Sequence, residues 1–400
     1  MFDRSQIVVG LEIGTTKVCA AVGELAKGGS CCVIGLGTAP TEGGVCKGEI
    51  VNADLVENAV RLALTQAENE SDIEIGSVYL GVTGSHIRGL NKRGVHPVSP
   101  VGGEIDSEDI RQVVSAARPA IALEEEVLHT VRQYFRVDGQ DDVKNPVGRV
   151  ASRLELDVHV VCGQRTRIQN PVRLVKGLGI EVEDIAFNGR VMGLPLLTPE
   201  ICEQGTLIID LGAGTTEYAV YLNGSLSHCG VLPIGGDHVT NDLAVGLKLT
   251  QSRAERLKIS HGSAVCDPCL ESRMVNFSSD IGLDDKQIYV GDLHRIMHAR
   301  LDELFQLIYA DLNRNSLLRR INGGLLLLGG VARTSQIDLL AQKIFGLDIL
   351  TNSVPEADTV HDFLTCPEYV TAIGLAKHGA RQTSSSRRKK RNLFGWLTGR

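Results

Sequence analysis

One stretch of the sequence decides the fold, Asp210-Leu211-Gly212-Ala213-Gly214-Thr215-Thr216-Glu217, and a second version of it lies near the amino terminus, Glu12-Ile13-Gly14-Thr15-Thr16-Lys17. Each version follows a short apolar run and precedes a segment with apolar residues at every second position. This is the pattern of two strands joined by a tight turn, so each motif is predicted to be the tip of a β-hairpin, not the strand-to-helix turn of a P-loop. The repetition predicts two similar domains that hold one nucleotide between them.

The residue types in these turns suit phosphate and a metal ion. Glycine lets the backbone approach phosphate oxygens, and successive N–H groups with threonine hydroxyls form an anion-binding concavity. The predicted phosphate contacts are Gly14, Thr15, Thr16 and Lys17 in the first turn and Gly212, Ala213, Gly214, Thr215 and Thr216 in the second. A carboxylate is repelled by phosphate unless a cation lies between them, so Glu12 and Asp210 are the candidate catalytic residues and are predicted to bind Mg²⁺ through its water. One such turn alone is more often an ordinary hairpin, and two in matching contexts favour the nucleotide.

Two further elements are candidates for the nucleoside end of the site. Gly329, Gly330 and Val331 lie between a buried strand and a helix, whose N-terminus would face a ribose or the α-phosphate. An ordinary tight turn is the alternative for this pair of glycines. Gly235 and Gly236, which lead into another helix, are also predicted to contact the nucleotide. Glu255 and Lys258 share one helix face, where they would either contact ribose and adenine or form a solvated ion pair.

Composition narrows the class of protein. With 400 residues, a net charge of −7 and a pI near 5.9, the chain is long enough for two or more domains and is not expected to bind nucleic acid. No signal peptide or bilayer-spanning run is recognisable, and scattered cysteines suit a reducing cytosol. Cys266 and Cys269 form the one CxxC pair, which is predicted to be two free thiols and not a zinc site because no second pair accompanies it.

Strand and helix patterns alternate along the chain and predict an α/β fold with a duplicated core. The predicted divisions are residues 1–84 for the first core, completed by about 163–195 and 369–381, residues 85–162 for an inserted subdomain, and residues 196–368 for the second core. Residues 261–285 show no interpretable pattern.

The two hairpins and the late Gly-Gly turn, in this order, resemble the actin, sugar-kinase and heat-shock-chaperone ATPase superfamily. Finer motifs resemble the FtsA family of cell-division proteins, namely residues 9–18, 77–80, 84–87, 144–148 and 234–242. The resemblance implies an actin-like duplicated ATPase fold with two domains around a cleft for ATP and Mg²⁺, an FtsA-type subdomain in the insertion, and at most slow ATP hydrolysis. Ala213 departs from the family by replacing a more usual glycine.

The FtsA resemblance also implies partners. Members polymerise into actin-like protofilaments, tie the FtsZ ring to the cytoplasmic face of the membrane at the division site, and help to recruit other division proteins. The partner-binding subdomain would be at about residues 237–320, where the FtsZ C-terminal peptide would contact Arg300 on a helix predicted over residues 292–313. If the resemblance to the family is set aside, Arg300 is interpreted as a solvent-exposed charge on a helix.

The carboxyl-terminal residues predict membrane binding. A flexible basic linker is predicted at 382–391 and a short amphipathic helix at 392–400. The membrane contacts would be Arg387, Arg388, Lys389, Lys390 and Arg391, followed by Leu393, Phe394, Trp396 and Leu397 on one helix face. Each basic residue near anionic lipid contributes about 1 kcal/mol, and the apolar face adds burial at the headgroup boundary. The alternatives are a disordered basic tail or a nucleic-acid-binding patch.

Two other functions are compatible with parts of the sequence. A small-molecule kinase of the same superfamily needs a general base, for which Asp237 is available, but has no need of a basic, Trp-bearing terminal helix. A pilus-assembly protein of actin-like fold lacks that helix.

Overall fold

The structure is a computed structural model that describes residues 7–26, 30–277, 286–350 and 367–398. Only the backbone is described for residue 277, residue 286 and residues 385–398. Within these ranges no helix is both long enough and apolar enough to cross a membrane.

The first motif forms a β-hairpin, as predicted. Strands β1 (Ile7–Ile13) and β2 (Lys17–Leu25) pair antiparallel, and the turn is closed by a hydrogen bond from Gly14 N to Lys17 O (2.9 Å). The next elements are β3 (Cys31–Pro40), β4 (Val45–Cys46), β5 (Glu49–Ile50), α1 (Ala53–Ser71) and β6 (Ser77–Val82). Asn52 caps α1 by accepting a hydrogen bond from Leu55 N (3.3 Å), which satisfies one of the amides that a helix start leaves unpaired.

The insertion is a separate antiparallel sheet with its own helix. Its elements are β7 (Arg88–Pro97), β8 (Gly103–Glu104), α2 (Ser107–Ala116), β9 (Glu125–Val137), β10 (Gln140–Val143), β11 (Val150–Ala151) and β12 (Arg153–Gln164). The four longer strands are ordered β10-β9-β12-β7. The inward side chains of β12 alternate with outward ones and build a core of their own around Leu154, Leu156 and Val158.

The chain then returns to the first core through α3 (Arg165–Gly177), β13 (Glu181–Phe187), α4 (Asn188–Val191) and α5 (Pro199–Gln204). The completed sheet is five-stranded with the order β13-β6-β1-β2-β3, in which β1 is antiparallel to β2 and parallel to β6.

The second motif forms the second predicted hairpin. Strands β14 (Thr206–Leu211) and β15 (Thr216–Leu222) pair antiparallel, with a closing hydrogen bond from Gly212 N to Thr215 O (3.0 Å). The remaining elements are β16 (Ser225–Leu232), α6 (Gly236–Gly246), α7 (Gln251–His261), β17 (Met274–Phe277), β18 (Lys286–Tyr289), α8 (Val290–Arg314), β19 (Leu325–Leu328), α9 (Ile337–Phe345) and α10 (Val370–Thr398). The sheet order β16-β15-β14-β19 repeats β3-β2-β1-β6 with the same strand directions. The predicted duplication is therefore present in the topology.

The segment without a recognisable pattern, residues 261–285, includes one strand of a small hairpin. Strands β17 and β18 pair antiparallel immediately before α8, with residues 278–285 between them outside the described ranges. Two short strands with a long connection carry too few alternating residues to give a sequence signal.

Helix α10 packs against the first sheet and continues into the tail. A Cβ on Gly10 of β1 would lie 2.3 Å from the carbonyl oxygen of Ala372, so the helix backbone lies directly on the strand. The prediction of a flexible linker at 382–391 differs from the structure, in which these residues continue the helix. Lengthening an existing helix adds one hydrogen bond for each residue fixed, and the Arg and Lys residues here favour it.

Candidate functional site

A cleft of about 600 Å³ lies between the two similar halves, with both hairpin turns in its wall. Most of the predicted nucleotide and metal residues line it: Glu12, Gly14, Thr15, Thr16, Lys17, Asp210, Gly212, Ala213, Thr215, Gly236, Glu255, Lys258, Gly329, Gly330 and Val331. Residues that are far apart in sequence thus meet because β1 and β14 occupy the same place in two copies of one sheet.

Three predicted nucleotide contacts do not line the cleft. Thr216 is buried and its hydroxyl donates to Ile234 O (2.8 Å), because β15 has already begun at this residue. Gly235 packs on the second turn, where a Cβ would lie 2.4 Å from Gly212 O. Gly214 faces the first turn and not the cavity, since a Cβ there would lie 2.4 Å from Thr15 Oγ1.

The strand ends bring two carboxylates and one amine together. Burial and the neighbouring Asp210 raise the pKa of Glu12 to about 8, although Lys17 opposes this. Burial also raises the pKa of Asp210, against a hydrogen bond that its Oδ2 accepts from Thr371 Oγ1 (2.9 Å), and it lowers the pKa of Lys17. Burial thus disfavours the charged form of all three groups, Glu12, Asp210 and Lys17.

A third carboxylate, Glu217, was not predicted to be functional but lies in the same wall. It is 4% exposed, and burial raises its pKa well above the usual range, with Asp210 adding to the effect. Its Oε1 accepts a hydrogen bond from the hydroxyl of Thr83, which follows β6 in the first half. This bond joins the two halves across the floor of the cleft.

Three buried polar atoms of the lining residues have no hydrogen-bond partner, Asn188 Oδ1, Glu12 Oε2 and Lys17 Nζ, and the last two fit a bound nucleotide and cation. Glu12 Oε2 and Lys17 Nζ are shielded from solvent and have no hydrogen-bond partner, while the Lys17 ammonium lies 3.6 Å above the ring centre of Tyr369. Such atoms are rare without a partner, because leaving them unpaired costs stability. A cation beside Glu12 and a phosphate beside Lys17 would satisfy both atoms.

The described residues hold no group of three His, Cys, Asp or Glu side chains placed to bind a metal ion. Mg²⁺ keeps several waters and commonly binds through one or two carboxylates and the phosphates of its nucleotide. Glu12 and Asp210 would hold the ion in this way. Among the same residues Cys266 and Cys269 are exposed free thiols.

Glu255 and Lys258 form the ion pair that was one of the two interpretations of the sequence, and this ion pair lies in the wall of the cleft. Lys258 Nζ lies 2.6 Å from Glu255 Oε2 and donates to Thr240 Oγ1 (2.9 Å) and Gly236 O (3.2 Å), and both residues line the cleft. The ion pair therefore faces the cavity and is anchored to α6.

The Gly-Gly turn after β19 differs from its prediction. Gly329 has φ +82° and leads into a 3-10 turn over Gly330–Arg333, and α9 begins only at Ile337. The helix therefore does not begin at the Gly-Gly pair, as the sequence predicted, but after the 3-10 turn. A Cβ on Gly329 would lie 2.4 Å from Asp210 Oδ1, so glycine is required by both the left-handed backbone and the close approach.

Several lining residues escaped the sequence reasoning: Thr83, Asn188, Glu217, Ile259, Arg333, Glu368 and Tyr369. Thr83 directly follows β6 and belongs to none of the predicted motifs. The position of Thr83 beside β1 could have been inferred from the parallel β1–β6 pairing, whereas Glu368 and Tyr369 reach the cleft through a connection with no motif.

The cleft also contains Asp237, the aspartate considered as a kinase base. Burial raises its pKa, with Lys258 opposing and Glu255 adding to the shift. Its N–H donates to Ala213 O (2.9 Å), which fixes it beside the second turn.

Arg300 lies away from the cleft on α8. Its Nε donates to Asp242 Oδ2 (2.6 Å) and its Nη2 to Asp242 Oδ1 (3.1 Å), and it also pairs with Glu303. The side chain is 26% exposed. The predicted membrane contacts at residues 387–397 lie where side chains are not described.

Comparison with known proteins gives concordant results. The family model described as "Cell division protein FtsA" matches residues 207–374, and the model described as "SHS2 domain inserted in FTSA" matches residues 84–162. The chain is 33% identical to the cell-division protein FtsA of Pseudomonas aeruginosa over 96% of its length and 91% of the relative, and 32% identical to that of Escherichia coli strain K12 over 94% and 91%.

Similar solved structures establish the fold alone. The type IV pilus biogenesis complex PilM-PilN contains a chain with TM-score 0.66 and 16% identity, covering 93% of this chain and 98% of that one. The MreB 5 protein of Spiroplasma citri, bound to AMPPNP, has TM-score 0.59 and 14% identity, with 97% and 100% covered. The predicted actin-like architecture with an inserted FtsA-type subdomain is confirmed.

Proposed function

The chain belongs to the FtsA family of cell-division proteins, and from this premise we propose that it binds ATP with Mg²⁺, polymerises, and anchors the FtsZ ring at the cytoplasmic face of the membrane. In this proposal it also helps to recruit other division proteins to the division site. Its ATP hydrolysis is slow, and the nucleotide acts as a conformational switch.

The observation that carries the nucleotide part is the pair of equivalent turns that face one cavity. Backbone amides and threonine hydroxyls would hold phosphates, Lys17 would add a positive charge, and Glu12 and Asp210 would hold Mg²⁺. Bound Mg²⁺ would supply neutralisation of phosphate charge. The unpartnered Glu12 Oε2 and Lys17 Nζ support this assignment.

Gly212→Val tests the nucleotide proposal. A Cβ at Gly212 would lie 2.8 Å from Thr215 O, and the branched side chain would extend into the turn that receives phosphate. Calorimetric titration with ATP and Mg²⁺ should give measurable binding for the unaltered chain and none for the variant. Val245→Ala serves as the control, because Val245 is 72% exposed and does not line the cleft. Unchanged affinity in Gly212→Val would refute the site.

The membrane part rests on the sequence of residues 387–397. Trp396→Glu places a charge on the apolar face and should abolish co-sedimentation with phosphatidylglycerol vesicles, whereas Trp396→Phe should retain it. Removing the basic charges should weaken binding to anionic vesicles and have little effect on neutral phosphatidylcholine vesicles. Full retention of Trp396→Glu would exclude this helix as the anchor.

The FtsZ part is supported by the partly exposed guanidinium of Arg300. Arg300→Ala should weaken binding of a synthetic FtsZ C-terminal peptide, measured by fluorescence anisotropy. Arg295→Ala is a matched control, because Arg295 lies on the same helix and is also ion-paired, with Asp292 and Glu271. Equal losses in both variants would argue against a specific role for Arg300.

The kinase alternative has Asp237 in the cleft as its one structural support. Relatives above 30% identity over most of the chain are cell-division proteins, which favours division. The pilus-assembly likeness is at 16% identity and carries no function.

A further inference from the structure

The two phosphate turns touch each other directly at one place. There a glycine from each half faces a threonine from the other half. We call this contact the seam and define it by Thr15, Lys47, Gly48, Gly214 and Thr215.

On the first-half side the seam is the tip of the β4–β5 hairpin. Gly48 has φ +77°, and its N–H donates to Thr15 Oγ1 (3.3 Å). A Cβ on Gly48 would lie 3.1 Å from Thr83 Cγ2 and 3.2 Å from Thr215 Cγ2. Optimal carbon–carbon contacts are about 3.5–4.0 Å, so a methyl group there would press both on Thr83 of the first half and on Thr215 of the second.

On the second-half side the seam is Gly214. A Cβ on this residue would lie 2.4 Å from Thr15 Oγ1, 2.9 Å from Thr15 Cγ2 and 2.9 Å from Lys47 N. Its φ is not positive, so the backbone alone does not demand glycine. Glycine is required because the other half occupies the space.

The hairpin is fixed to the first half and must move with it. Thr41 Oγ1 donates to Thr15 O (2.5 Å), and Glu49 pairs with Arg167 of α3. The seam and the Thr83–Glu217 hydrogen bond both join the two halves. At the seam the halves can approach this closely only because Gly48 and Gly214 have no side chains.

We propose that Gly48 and Gly214 are positioning residues that let both turns approach one phosphate chain. This inference rests on the proposed ATP binding. Glu255, Lys258 and Gly329, the groups placed for the nucleoside end, all belong to the second half. A nucleoside monophosphate therefore depends on one half, whereas the outer phosphates of ATP contact both. The seam thus controls triphosphate affinity selectively.

Gly48→Ala in the full chain tests this selectivity. Calorimetric titration with ATP and Mg²⁺ should show affinity reduced by about tenfold or more, since overpacking of a tight contact commonly has an effect of this size. AMP affinity should stay within about twofold of the unaltered chain. Gly43→Ala is the matched control, because Gly43 also has positive φ (+83°) but nothing lies within 4 Å of its added Cβ.

A second substitution distinguishes contact from general damage. Thr215→Ser removes one of the two Cγ2 atoms that the new methyl group meets and keeps the hydroxyl, so it should restore part of the ATP affinity lost in Gly48→Ala. Gly214→Ala probes the seam from the other side and should reproduce the selective loss, which also covers the case in which Gly48→Ala does not fold.

Four results would overturn the inference: unchanged ATP affinity in both glycine variants, equal losses of ATP and AMP affinity, a similar loss in Gly43→Ala, or no AMP binding by the unaltered chain. Absence of ATP binding by the unaltered chain would instead overturn the proposed function and the seam together.

Discussion

Replacing Glu12 with glutamine should stabilise the nucleotide-free protein at alkaline pH and weaken its affinity for Mg²⁺ and ATP. Glutamine has nearly the shape of protonated glutamate, but it cannot ionise in the cleft and cannot neutralise a cation. Higher thermal stability together with weaker binding of Mg²⁺ and ATP would show that Glu12 lowers the stability of the free protein but is needed to bind the ligand.

The magnitude follows from the pKa of Glu12, which burial and Asp210 raise from 4.5 to about 8. The folded chain therefore holds this proton while the unfolded chain has lost it, so stability falls as pH rises from about 4.5 to about 8. Between about pH 6 and about pH 9 the loss is up to about 3 kcal/mol. Since 1 kcal/mol shifts the melting temperature of domains of about 150–250 residues by about 2–4 °C, the glutamine variant should gain several degrees over this range.

The assay compares melting temperatures of nucleotide-free Glu12→Gln and unaltered chain at about pH 6 and about pH 9, with calorimetric titration of ATP and Mg²⁺ in parallel. Glu183→Gln is the control, because Glu183 is exposed on β13. A difference in melting temperature that does not grow with pH would show that Glu12 is not a suppressed carboxylate. Undiminished Mg²⁺-dependent ATP affinity would show that it does not serve the metal.

Three further outcomes are expected. Gly10→Ala should lower the melting temperature strongly, because its Cβ would lie 2.3 Å from a carbonyl oxygen of α10, whereas Gly76→Ala, with nothing within 4 Å, should change it little. Asp311 accepts hydrogen bonds from Tyr218 (2.7 Å) and His228 (2.6 Å), and the bond from His228 lowers the pKa of Asp311 most. The ionised Asp311 therefore stabilises the folded chain at neutral pH, and this stabilisation is lost as pH falls through the lowered pKa. Asp311→Asn should reduce thermal stability at neutral pH but much less in acid. A panel of sugars and small alcohols should give no acceptor-dependent ADP release at the rates of about 1–100 per second typical of kinases, and such release would favour the kinase alternative.

Local sequence patterns predicted those elements whose structure is decided locally. The two hairpins were predictable because glycine-rich tips separate strands with apolar residues at alternate positions, and β12 because Leu154, Leu156 and Val158 alternate with polar residues. The same argument fails at the Gly329 turn, where a strand, two glycines and a helix occur in the expected order but a 3-10 turn intervenes. The close approach of Gly329 to Asp210 decides that turn, and this contact joins residues far apart in sequence.

The sequence predicted the residues within each turn of the candidate site, but it did not predict the contacts between the two turns. Glu217 belongs to the second motif, but the motif predicts no role for it, because its contact across the cleft is made with Thr83 in the other half. Gly214 was assigned to phosphate by its position in the motif, yet its surroundings are Thr15 and Lys47 N. A sequence pattern records that glycine is present and not which neighbour excludes a side chain.

The duplicated turns also differ in a way that the seam explains. Counted from their closing hydrogen bonds, Gly14 corresponds to Gly212, so Thr16 of the first turn corresponds to Gly214 of the second. Thr16 is exposed and can keep its side chain, whereas Gly214 is pressed against Thr15 and cannot. A threonine at residue 214 of the second turn would clash with Thr15, so the second turn could not close on the first. The sequence difference between the copies is therefore what lets two halves of one topology fit together around a single ligand.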